Sequence, residues 1–137
     1  MKTKILITNA LYYRTISNDL VRDATMTLNK NKIKYEIINV PGVFEIPVII
    51  AKNIKKYDGF IALGCVIKGE TPHFDFISKT TIDAIMKLSV ESKKPIGNGI
   101  LTCMNVSQAY IRSDSKGKKR KGKEAAEAVL SVLGFKT

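Results

Sequence analysis

Histidine occurs once in this 137-residue chain, as His73, and cysteine twice, as Cys65 and Cys103. One histidine and two cysteines without a CxxC spacing leave no ligand set for a structural zinc. The cysteines also make a poor disulfide framework, so both are read as buried free thiols. No apolar run approaches the roughly 20 residues that span a bilayer. The start, "MKTKILITNALYY", sets lysines before apolar residues, but Thr8 and Asn9 interrupt the run after Ile7, too early for a signal-peptide core. A soluble, cytoplasmic protein that stays out of the membrane is expected. Internal repeats are absent. Only "KGKKRKGK", Lys116 to Lys123, is compositionally biased, with six of its eight residues basic.

What is present fits one folded domain over residues 1–137. An apolar fraction of 45% is ordinary for a globular core. The net charge of +11 raises the question of nucleic acid or smaller anionic ligands. The basic stretch lacks interleaved aromatics that would stack on bases, which argues for a solvated loop over a nucleic-acid patch.

Hydropathy alternates between strand and helix. "KILIT" and "KYEIINV" read as strands, the second stopped by Pro41-Gly42. Ile16, Leu20, Val21, Ala24 and Leu28 recur at helical spacing between them. Apolar residues are dense from Phe44 to about Lys56, with Lys52, Lys55 and Lys56 where a helix dipole favours cations. "FIALGCVI" is the longest apolar β-type run and the candidate central strand. Phe74, Ile77, Thr81, Ala84, Ile85 and Leu88 mark the next helix. "IGNGILTC" is a fourth strand, whose glycines either loosen it or admit a close neighbour. A short helix near Ser107 to Ile111 and a last one from about Lys123 to Leu133 follow.

Such alternation predicts parallel βαβ units, a four-stranded sheet and a three-layer α/β sandwich. Ligands of such sheets bind beyond the carboxyl ends of the strands. Here those ends are Asn9 to Tyr13, Val40 to Glu45, Ile67 to His73 and Thr102 to Asn105. In "GCVIKGETPHF", Thr71 suits an N-cap, Pro72 the first helical position and Asp75 the first turn, which explains the segment as a helix start. The same geometry offers free backbone N–H groups to an anion. His73 carries the side chain best suited to proton exchange near neutral pH. Glu45 is either a dipole-stabilised first-turn carboxylate or an acceptor for a polyhydroxylated ligand. Tyr12 and Tyr13 include either core aromatics or a stacking face for a heterocycle. Arg112 is either a solvated arginine or a phosphate clamp. Cys65 and His73 have no reason to meet as a nucleophile and base.

Taken together, "VPGVFEIP" (Val40 to Pro47), "ALGCVIKGETPHFDF" (Ala62 to Phe76), "PIGNGILT" (Pro95 to Thr102), "QAYIR" (Gln108 to Arg112) and "KGKEAAEA" (Lys121 to Ala128) resemble the lumazine synthase family, in the right order and across almost the whole chain. The resemblance implies a flavodoxin-like sandwich and a transferase-type reaction. In it, 5-amino-6-ribitylamino-uracil condenses with 3,4-dihydroxy-2-butanone 4-phosphate to 6,7-dimethyl-8-ribityllumazine, releasing phosphate and water on the way to riboflavin. It implies two small-molecule substrates, no metal and no other cofactor.

By the same resemblance His73 transfers protons, Arg112 binds phosphate, and Glu70 and Thr71 supply backbone N–H groups and a hydroxyl to it. Tyr12 stacks on the pyrimidine. Val43, Phe44 and Glu45 hold the ribityl chain and ring edge, and Val66 and Ile67 line the ring pocket. Asn98 is contributed by a neighbouring subunit, and Lys121 is the lysine near the pocket, although Lys119 or Arg120 also fits that place. The short amino terminus favours a pentamer over a sixty-subunit shell, with the active site at the subunit interface. Nucleic acid is then not needed to explain the lysines, which would steer a phosphorylated substrate. The rivals are a non-catalytic carrier on the same fold and a basic nucleic-acid protein.

Overall fold

The computed structural model describes residues 2–70, 72–114 and 120–136. Four strands, β1 (Lys4–Ala10), β2 (Lys34–Val40), β3 (Gly59–Ile67) and β4 (Ile96–Cys103), form one sheet. All pairings are parallel and the order is β2-β1-β3-β4. Five helices join or follow them: α1 (Arg14–Lys30), α2 (Ile46–Lys52), α3 (Phe74–Ser92), α4 (Val106–Ser113) and α5 (Lys121–Val132). A 3-10 turn at Val43–Glu45 leads into α2.

β3 is buried along its whole length because helices cover both faces of the sheet, which is why it reads as an uninterrupted apolar run. The pleat divides its residues. Ile61, Leu63, Cys65 and Ile67 join the core under α1, α4 and α5, whereas Phe60, Ala62 and Val66 join the one under α2 and α3. The result is the expected α/β/α sandwich. Its strand order reverses between β1 and β3, the switch point where doubly wound sheets bind ligands.

Two boundaries differ from the pattern. The apolar stretch expected to be helical to about Lys56 closes at Lys52, because the Asn53 side-chain amide donates back to the Ile49 carbonyl at 2.8 Å. Lys55 and Lys56 therefore lie beyond the helix. α3 begins at Phe74, which puts His73 at the N-cap position, not in the first turn. The helix is anchored there through the Ile77 amide, which donates to the His73 carbonyl at 2.9 Å.

The glycines of β4 admit a close neighbour: a Cβ on Gly97 would come within 2.3 Å of the Ala125 carbonyl oxygen, so α5 lies directly on the strand. No helix among the described residues is long and apolar enough to cross a membrane.

Candidate active site at the carboxyl rim of the sheet

The turns after β1, β2 and β3 converge beyond the sheet's carboxyl edge. Between them lies a cleft of about 180 Å³, walled by Tyr12, Gly42, Val43, Phe44, Cys65, Val66, Glu70, Pro72 and Ile77. Each wall has a local cause. Tyr12 follows β1 and is 68% exposed, while Tyr13 turns back against the core, the two rings meeting edge-on at 4.9 Å. One tyrosine packs and the other offers a free aromatic face.

Gly42 starts the 3-10 turn in extended backbone, and its amide donates to Glu45 Oε1 at 2.9 Å. That bond buries Val43 against the sheet and leaves Phe44 exposed at the mouth. After β3, the Glu70 amide donates to the Ile67 carbonyl, and Gly69 takes φ +88°, left-handed backbone that a residue with a Cβ adopts only with strain. This tight reversal carries Glu70 back over the cleft.

His73 lies on the other side of Pro72. With Lys68, Gly69, Phe74, Asp75 and Phe76 it lines a shallow groove that shares Pro72 with the cleft. Arg112, half-buried at the end of α4, points a guanidinium nitrogen at Cys103 Sγ, 3.8 Å away. Because Cys103 ends β4 and its carbonyl accepts from the Lys68 amide at 2.9 Å, Arg112 stands at the same edge as the turn that leads to His73. The imidazole and the guanidinium thus come to one end of the molecule from opposite faces of the sheet. Beneath them, burial and the adjacent Cys103 thiol push the Cys65 thiol up to about 12, so it stays protonated at neutral pH. Cys65 and Cys103 are both free and buried.

Of the residues singled out in the sequence, Tyr12, Val43, Phe44, Val66 and Glu70 meet in the cleft, and His73 adjoins it. Ile67 does not wall it with its side chain, which the pleat sends into the opposite core. Glu45 turns its carboxylate to Gly42. Asn98 is exposed on β4, opposite Ala62 and well short of the rim, with its side-chain oxygen accepting from the Ile100 amide. Lys121 is the half-buried first residue of α5 and touches neither cavity. Thr71 and Lys116 to Lys119 fall outside the described residues.

Sequence reasoning passed over Gly42, Cys65, Pro72 and Ile77 as cleft walls and Lys68 beside His73. Ile77 could have been found, since it stands one helical turn after His73 on the inward stripe of α3. Among the described residues no three histidine, cysteine or carboxylate side chains cluster as metal ligands.

A cleft at the switch point of a parallel sheet, with an aromatic face, two tight backbone turns and a nearby imidazole, defines a flavodoxin-like α/β protein with a candidate small-molecule site. The model of the 6,7-dimethyl-8-ribityllumazine synthase family matches residues 2–137, and the chain belongs to that family. Relatives named 6,7-dimethyl-8-ribityllumazine synthase agree. The one from Bartonella bacilliformis is 45% identical over 136 residues, covering 96% of this chain and 89% of its own. That from Agrobacterium fabrum is 41% identical over 142 residues, covering 98% and 95%. That from Novosphingobium aromaticivorans is 41% identical over 135 residues, covering 97% and 96%.

Proposed function

We propose that the cleft and the His73 groove form one active site, which condenses 5-amino-6-ribitylamino-uracil with 3,4-dihydroxy-2-butanone 4-phosphate to 6,7-dimethyl-8-ribityllumazine. The observation that carries this reading is the meeting of Tyr12, Val43, Phe44, Val66 and Glu70 around one cleft beside His73, in a chain of this family.

The pyrimidine stacks on the exposed Tyr12 ring over Val66, and the ribityl chain runs along the Gly42–Phe44 turn. Ile67 contributes its backbone and Glu45 holds the turn through Gly42. The phosphorylated ketone lies across Pro72, with its phosphate toward Arg112 and the turn at Glu70, and Thr71 and Lys121 are its further ligands by the family pattern. In that arrangement the 5-amino group adds to the ketone carbonyl, water leaves as the imine forms, phosphate is eliminated, and the ribitylamino nitrogen closes the ring on the remaining carbonyl with loss of a second water. His73 moves the protons: it takes one from the attacking amine and returns one to the departing oxygen. Holding two reactants in line supplies about 7–11 kcal/mol of the barrier, so chemistry of this kind proceeds without a metal or organic cofactor.

We further read residues 1–137 as one domain working as a pentamer in the cytoplasm, with Asn98 completing a neighbour's site. Its exposure away from its own cleft supports that, as do the uncovered apolar residues of α3. Mixing the purified protein with both substrates and recording the fluorescent lumazine tests the assignment. Product formed in proportion to protein is expected, and its absence at high protein concentration would overturn the reading.

A further inference from the structure

We propose that Lys68 is a second cation for the phosphate, paired with Arg112 across Cys103, an inference that rests on the synthase reading above. Lys68 is the first residue past β3 and is exposed. Its amide donates to the Cys103 carbonyl at 2.9 Å, while the Arg112 guanidinium donates to Sγ of the same Cys103 at 3.8 Å. Cys103 therefore ties the backbone of Lys68 and the side chain of Arg112 to the same end of β4, from opposite faces of the sheet. Lys68 also lines the groove that holds His73. It shares that groove with the group that moves protons.

Charge shows why a second cation belongs there. Glu70 walls the cleft and Asp75 lines the groove, so two acidic residues border the approach. A phosphate ester brings about two further negative charges of its own at neutral pH. Among the described residues Lys68 has no ion pair, whereas Lys79, Lys87 and Lys4 are each held by a neighbouring carboxylate. A free ammonium on a flexible stem beside a proton carrier is available to a ligand. Gly69, in left-handed backbone, then turns the chain away so that the Lys68 stem projects at the edge.

The test is steady-state kinetics on the intact protein with Lys68→Gln and Lys68→Arg. In Lys68→Gln, KM for the butanone phosphate should rise about tenfold, with kcat and the KM for the ribitylamino-uracil within about twofold. Lys68→Arg should restore most of that loss, which a merely structural role would not predict. Inorganic phosphate should bind Lys68→Gln more weakly by a similar factor, read by calorimetry without turnover. Unchanged KM and unchanged phosphate binding in Lys68→Gln would overturn the proposal, as would a fall in kcat alone. Wild-type protein that makes no lumazine would sink the synthase reading, yet the phosphate titration would still decide Lys68.

Discussion

His73 and Cys65 are both groups that exchange protons, and they stand in opposite surroundings a few residues apart. His73 is exposed at a helix start and makes no cap hydrogen bond through its side chain, so nothing in the core depends on its imidazole. Its replacement should therefore separate catalysis from stability. His73→Ala should lower turnover by about 10²–10⁴-fold while the urea midpoint is unchanged; rates measured at several pH values that match the parent would remove His73 from the chemistry. Arg112→Ala, which leaves one anion partner fewer, should act chiefly on KM for the butanone phosphate, by about 10–100-fold for the loss of a charged hydrogen bond. A normal KM for that substrate would contradict the assignment.

Cys65 answers to burial instead. The fold holds its thiol up to about 12, above the 9.0 of a free cysteine, so the native state favours the protonated form. Stability from this source is complete below about pH 9 and is lost as pH rises toward 12, since the unfolded chain releases the proton first. Tyr57, raised to about 12 by its hydrogen bond to Glu36, works in the same direction. Urea midpoints between about pH 8 and pH 10.5 should fall for the parent and fall less for Cys65→Ala. Equal slopes would show that the thiol is not titrating from a buried site. At this scale the sequence was legible in residue type and blind in direction. Which of Tyr12 and Tyr13, and which of Val66 and Ile67, meets the cleft cannot be read without knowing which face of the sheet the cleft adjoins.

At the scale of elements the strands were legible because their apolar runs end on turn residues. "KYEIINV" and "IGNGILTC" are the observed β2 and β4, residue for residue. Helix ends were less so, because side-chain contacts set them: Asn53 closes α2, and Asn105 opens α4 by accepting from the Gln108 amide. The packing of α5 was not legible at all. A Cβ on Gly122 would come within 2.2 Å of the Leu20 carbonyl oxygen, so α5 and α1 touch backbone to backbone. Close by, Arg120 reaches the fully buried Asp23 at 3.2 Å, tying the start of α5 to α1. Gly122 looks like a loop glycine in "KGKKRKGK", yet it is a packing residue. Gly122→Ala should destabilise the protein by about 1–3 kcal/mol, read as a lower urea midpoint with an unchanged slope. A midpoint equal to the parent's would mean the helices part without cost.

The whole molecule leaves α3 half dressed. Only Thr81 and Ile85 of its nineteen residues are buried, while Phe76, Met86 and Val90 are 76%, 62% and 67% exposed. Apolar exposure on that scale marks a surface that another chain covers. Asn98 belongs to the same argument, lying on an edge strand out of reach of the cleft in its own chain. If each site takes His73 from one subunit and Asn98 from the next around a ring, every interface is heterologous and two different defects can be sorted onto different sites. His73→Ala removes the proton carrier, and Asn98→Trp obstructs the neighbour's cleft, so each variant alone should be inactive. Co-expressed in equal amounts they should regain about a quarter of parental activity, because one interface in four then joins an intact His73 to an intact Asn98. Each variant must first elute at the parent's size, which for the proposed pentamer is five times the 15.2 kDa chain. If the mixed rings stay as inactive as their parents, each site is built within one subunit, and the exposure of Asn98 has another cause.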